Sequence, residues 1–134
     1  MRKQYTVILL LLFTSLTGFS QATDCSKVRE GKYRLTDAKS KQVSVITRKN
    51  DRQSEKMQDA EEIYDFDVKW LSDCSYTLTP TAATTARSKE ITRLGTMTVT
   101  ITQVKDSSYI QTVKLANYPT FKRTDEVFMV KEKE

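Results

Sequence analysis

Most of the chain alternates apolar and polar residues with a period of two, the pattern of strands that bury one face. The clearest stretch is Tyr64-Asp65-Phe66-Asp67-Val68-Lys69-Trp70, where every second residue is large and apolar and those between are charged. After a turn at Leu71-Ser72-Asp73, the run Cys74-Ser75-Tyr76-Thr77-Leu78-Thr79 alternates again. Together they predict a hairpin whose inward set is Tyr64, Phe66, Val68, Trp70, Cys74, Tyr76 and Leu78.

Upstream, residues 31–36 and 42–49 read as strands, with Val43, Val45 and Thr47 sharing one face of the second. Asn50-Asp51 is a natural two-residue turn, because both residues tolerate positive φ. It returns the chain along the polar stretch 52–58. Downstream, Met97, Val99 and Ile101 alternate with threonines at 96, 98, 100 and 102, and a Lys105-Asp106-Ser107-Ser108 turn leads into a strand over 109–115. A last strand is expected over 126–131, with Lys133 and Glu134 as a frayed end. Residues 80–95 form the main break, a Thr- and Ala-rich loop in which 86–94 suits one or two helical turns. About eight short strands joined by tight turns predict an all-β fold: an antiparallel meander forming a small barrel or a curled sheet.

The N-terminus departs from this pattern. Positive charge at Arg2 and Lys3 precedes an apolar run from Val7 to Leu16, and Gly18 and Ser20 occupy the small-residue positions of a cleavage site after Ser20. This is the order of a secretory signal peptide, with a second possible cut after Ala22. The run breaks at Thr14-Ser15 and Thr17-Gly18, short of the roughly 20 apolar residues of a spanning helix. Asp24 directly before Cys25 also spoils a lipidation pattern. The expected organisation is a signal-peptide helix over 1–20 and one β-rich domain over 21–134, exported to the periplasm or the medium.

Export changes the reading of the two cysteines, Cys25 and Cys74, because an oxidising compartment makes a single disulfide the default. They are too far apart for a C-x-x-C redox motif. Losing Arg2 and Lys3 lowers the net charge from +5 to +3, with 20 basic against 17 acidic residues. That excess, evenly mixed, does not argue for nucleic acid.

The chain has no histidine, which removes the commonest general base and metal ligand. Its three glycines cannot build a phosphate loop or dinucleotide fingerprint. No catalytic residue, cofactor or metal site is therefore expected. Asp59, Glu61, Glu62, Asp65 and Asp67 read as a solvated face rather than a calcium site, and Asp65 with Asp67 is the weak candidate for a carboxylate acid/base pair. Arg48, Lys49, Arg52 and Lys56 read as an ordinary solvated basic cluster, and the threonine comb as an exposed β face. The aromatics Tyr33, Tyr64, Phe66, Trp70, Tyr76, Tyr109, Phe121 and Phe128 either fill the core or line a ligand cavity, since eight-stranded barrels do both.

Five segments carry a resemblance across most of the mature chain. They are Cys25, Gly31-Lys32-Tyr33, Ile46-Thr47-Arg48, Gln53-Ser54-Glu55, and the block from Phe66 to Leu78 with the pattern F-x-V-x-W-x-x-x-C-x-Y-x-L. In these the sequence resembles a family of small exported bacterial proteins that has no established activity. Some members are labelled as a subunit of DNA topoisomerase IV, a label the short length, secretion signal and modest charge of this chain do not support. Gly31-Lys32-Tyr33 opening a strand ahead of a meander is also similar to lipocalin-like and fatty-acid-binding barrels, an analogy of fold that assigns no function. The functional expectation is a non-enzymatic exported domain that binds a small apolar ligand or an envelope protein, or else serves as an accessory subunit of an envelope complex.

Overall fold

A computed structural model describes residues 23–131. The expected signal peptide and the frayed Lys133 and Glu134 lie outside those residues. Eight antiparallel strands follow one another in chain order and close into a barrel. They are β1 (Gly31–Thr36), β2 (Val43–Lys49), β3 (Arg52–Met57), β4 (Ile63–Ser72), β5 (Ser75–Pro80), β6 (Met97–Val104), β7 (Ser108–Leu115) and β8 (Tyr118–Met129). The meander closes through Tyr33 opposite Met129 and Arg34 opposite Phe128, with the Val130 amide donating to the Lys32 carbonyl at 2.8 Å.

Register decides which side chains enter the barrel, because directly opposed residues share a face. Ile46 stands between Tyr33 and Glu55, Gln53 opposite Arg48 and Phe66, and Tyr76 between Trp70 and Val99. The hairpin of β4 and β5 forms as its alternation predicts, with Phe66, Val68, Tyr76 and Leu78 buried and Tyr64, Trp70 and Cys74 packed partly against the core. Strand β4 runs on through Leu71 and Ser72, and the turn falls at Asp73-Cys74. Asn50 and Asp51 take φ of 51° and 58° in the expected two-residue turn.

On β2 the phase is the reverse of the expectation. Ser44, Ile46 and Arg48 point inward, and Val43, Val45 and Thr47 form the outer face. The β-branched residues suit an outer β surface, whereas the interior at this height is polar and takes the arginine. Strand β8 is longer than the expected 126–131, since its first half pairs with β7 all the way to Leu115 opposite Tyr118. Charged residues at 122–126 hid that pairing from the apolar pattern.

The break between β5 and β6 holds two short helices, α1 (Ala82–Arg87) and α2 (Lys89–Leu94), capped by the side chains of Thr81 and Ser88. The first is fastened to the barrel rim by Thr84, which is fully buried. Its hydroxyl donates to the Asp65 carbonyl at 3.0 Å and accepts from the Asp65 amide at 2.8 Å. It thereby gives the Asp65 amide an acceptor and shares the Asp65 carbonyl with the Thr81 amide, which donates to it at 3.0 Å. The second helix is held by Asn117, whose amide donates to the Arg93 carbonyl at 2.9 Å.

The other end of the barrel is shut. A 3-10 turn, Ser26–Val28, precedes β1 and drives Val28 to full burial. Cys25 is bonded to Cys74 with a Cα separation of 5.4 Å, which ties this turn to the β4–β5 connection.

Candidate functional site

The barrel is filled at its closed end and hollow towards the helices. Tyr33, Phe66, Tyr76 and Tyr109 occupy the lower interior, with Tyr33 and Tyr109 edge to face at a centroid distance of 5.4 Å. Above them is a cavity of about 420 Å³. Leu35, Ile46, Met57, Leu78, Val99 and Val113 supply its apolar wall, and Leu94 of α2 reaches it from above. Asp37, Ser40, Gln42, Arg123 and Asp125 line its mouth. There Arg123 bridges β8 to the β1–β2 connection, meeting Asp37 at 3.3 Å and Asp125 at 2.8 Å. Hydrogen bonds from the Ser40 and Lys39 amides and the Ser40 hydroxyl, aided by Arg123, hold Asp37 below the usual carboxylate range.

The floor is polar and built around Arg48, which is only 2 % exposed. A guanidinium has five N–H donors in a fixed fork, and here each has an acceptor. Nε donates to the Arg29 carbonyl at 2.8 Å, Nη1 to Gln53 Oε1 at 2.8 Å and to the Tyr76 hydroxyl at 2.9 Å. Nη2 donates to the Val28 carbonyl at 2.7 Å and to the Tyr109 hydroxyl at 3.2 Å. The cation also sits 4.9 Å from the ring centres of both Tyr33 and Tyr76, within the range of cation–π attraction. Tyr33 completes the plug, its single hydroxyl proton shared between the Val28 and Glu30 carbonyls, both at 2.9 Å. Burial outweighs the nearby Arg48 and pushes the Tyr33 hydroxyl up to about 12.

One step above, Gln53 links Arg48 to an acid. Its Nε2 donates to Glu55 Oε1 at 2.8 Å while its Oε1 accepts from Arg48. Glu55 lines the cavity, enclosed by the barrel yet with part of its surface open to the hollow. Burial raises its carboxyl above the ordinary 4.5, and the Gln53 hydrogen bond and Arg48 offset only part of that.

The sequence-predicted residues separate by height. Tyr76 and Tyr109 line the cavity, while Tyr33 and Phe66 are core beneath it. Trp70 packs at the closed end on Tyr76 at 4.6 Å, with Arg29 stacked 4.2 Å from its ring centre. Tyr64 stands near the rim, donating to Glu62. Phe121 is half exposed at the mouth, and Phe128 lies on the outer wall, 51 % exposed. Asp65 and Asp67 are outside the barrel, accepting from Ser54 at 2.5 Å and Arg52 at 3.3 Å, and line no part of the cavity. No metal-binding cluster of acidic residues or cysteines occurs among the described residues.

The basic cluster expected at Arg48, Lys49, Arg52 and Lys56 is broken by the fold, because Arg48 is the one member that points inward. Arg48, Gln53 and Glu55 belong to the I-x-R and Q-x-E segments quoted for the resemblance, but the apolar alternation gave them no place inside. Two arms of one tight hairpin, each with a polar residue at an inward position, were the available signal. No protein-family model, curated protein or solved structure matches this chain, so the site is read on its own geometry.

Proposed function

We propose that this is an exported, non-enzymatic barrel that binds a small, largely apolar ligand in its cavity. The observation that carries the reading is the hollow itself: about 420 Å³, apolar around the wall, with polar groups at its floor and its mouth. Small-molecule sites have this volume and this composition, with a few placed polar groups fixing orientation. An interior meant only for stability would be packed to native density.

Export is supported by the charged, apolar and small-residue order of the first 20 residues and by the disulfide, a bond that persists in oxidising compartments. An eight-stranded up-and-down meander is also the architecture of lipocalins. That analogy, and the resemblance to small exported bacterial proteins, agree with a binding role without assigning one.

The test is native mass spectrometry of the protein purified from its own periplasm or medium, followed by titration with an environment-sensitive apolar dye. A co-purifying molecule, or saturable dye uptake abolished by filling the hollow with Val99→Trp, supports the reading. An apo mass together with no saturable uptake rejects it and favours a partner-binding or accessory role. The half-exposed Ile63, Tyr118 and Phe121 would then be the first surface to probe.

A further inference from the structure

The polar groups of the cavity floor differ in what they have left to offer. Arg48 has spent all five donors on protein acceptors. Tyr76 and Tyr109 form part of the floor, where each hydroxyl accepts from Arg48, and at 1 % and 0 % exposed they offer a guest almost no open surface. Gln53, 2 % exposed, is held between Arg48 and Glu55.

Two groups remain. Glu55 uses Oε1 to accept from Gln53, and its Oε2 has no protein partner among the described residues. Gln111, on β7, is 6 % exposed and makes no side-chain hydrogen bond among those residues, although it lines the cavity. No fully buried polar side-chain atom there lacks a partner, so the free atoms of both groups face the hollow rather than the packed wall. Leaving such groups unpaired behind an apolar wall is costly unless something in the cavity meets them.

We propose that the cavity selects an amphiphile whose apolar body lies along the wall and whose head donates hydrogen bonds and carries no negative charge, an alkyl amine being the best match and an alcohol next. Glu55 Oε2 is the acceptor for that head, and Gln111 is its second contact. A fatty acid would bring its carboxylate against Glu55, with Arg48 near but having no donor to spare. The inference rests on the cavity-binding reading above and adds the chemistry of the head.

The experiment uses the disulfide-bonded mature protein at neutral pH and compares three probes of one chain length by calorimetry: dodecylamine, dodecanol and dodecanoic acid. The amine is expected to bind about tenfold or more tightly than the acid, the scale of one charge-assisted hydrogen bond, with the alcohol between them. Glu55→Gln should erase the preference for the amine over the acid. Gln111→Leu should weaken the amine and the alcohol by a smaller factor, and it keeps the question open to test should Glu55→Gln fail to fold. Binding of the acid as tightly as the amine, or a preference that survives Glu55→Gln, overturns the head-group inference and leaves the cavity reading intact. If none of the three binds and the dye is also excluded, the cavity reading itself fails, and this inference with it.

Discussion

Arg48 Nη2 donates to the main-chain carbonyl of Val28 across 2.7 Å, so a side chain from the closed-end tip of β2 holds the plug that shuts that end. The two residues are 20 apart in sequence, and the β1–β2 register that sets Arg48 opposite Gly31 brings them together. Removing Arg48 would strand the Arg29 carbonyl, Gln53 Oε1 and two tyrosine hydroxyls at once, and leave the Val28 carbonyl to Tyr33 alone. Arg48→Met should therefore cost about 3–5 kcal/mol, since each buried acceptor left unpaired costs about 1–3 kcal/mol and several are left together. Arg48→Lys keeps the charge but offers three donors on a flexible stem instead of a five-donor fork, and about 2 kcal/mol is expected from the bonds it leaves unmade. Urea unfolding of both variants checks this. A loss under about 1 kcal/mol for Arg48→Met would mean that the plug is held by the disulfide and Tyr33 alone.

The plug's covalent tie gives a second prediction. Cys25 and Cys74 are 49 residues apart in sequence, and in the chain-entropy model a loop of that length restricts the unfolded chain by about 4 kcal/mol. A Cys25→Ser, Cys74→Ser double variant should unfold at correspondingly lower urea, and reduction of the wild type should reproduce the shift. If reduction leaves the midpoint unmoved, the turn over Ser26–Val28 docks without the bond.

Trp70 is the third case. It is half-buried, sandwiched between Arg29 at 4.2 Å and Tyr76 at 4.6 Å. Full burial of a tryptophan would put its loss at about 3–5 kcal/mol, so about 2 kcal/mol is expected for Trp70→Ala. A double-mutant cycle with Arg29→Ala should give a coupling of about 0.5–1 kcal/mol, the scale of a partly exposed cation–π pair. Zero coupling would assign Trp70's contribution to its packing on Tyr76.

What could be read from the chain follows from where the interior is apolar. The hairpin of β4 and β5 is oil inside and charge outside, so its alternation states its orientation directly, and Phe66, Val68, Tyr76 and Leu78 are buried as expected. The same logic fails on β2 and β3, where Ser44, Arg48, Gln53 and Glu55 point inward beside Ile46 and Met57. A hollow barrel that concentrates polar groups at its floor inverts the binary pattern there, so Val43 and Val45 mimic a buried face while Arg48 mimics a surface one. The first half of β8 was hidden for a related reason: Lys122, Arg123, Asp125 and Glu126 crowd a strand whose pairing with β7 is fixed by register and not by apolar content. The site was thus written mainly in the residues that apolar patterning discards.

Glu55 supplies the last prediction, through proton linkage. Its carboxyl ordinarily titrates at 4.5, and burial raises it in the fold. Between 4.5 and the raised value the native protein holds more of this proton than the unfolded chain does. Stability from this group therefore falls as pH rises through that window and is level above it. Glutamine at this position does not titrate, can still accept from Gln53, and leaves every other acid unchanged. The difference in unfolding free energy between Glu55→Gln and wild type should accordingly grow in the variant's favour as pH rises from below 4.5 towards neutrality, then stop changing. Exposed acids such as Asp37, held below the usual range, push in the opposite sense but cancel in the difference. Urea midpoints for both proteins across that pH range decide the matter. A flat difference would mean that the cavity solvates the carboxylate as well as water does, and an apolar hollow of about 420 Å³ with one free carboxyl oxygen should not do that.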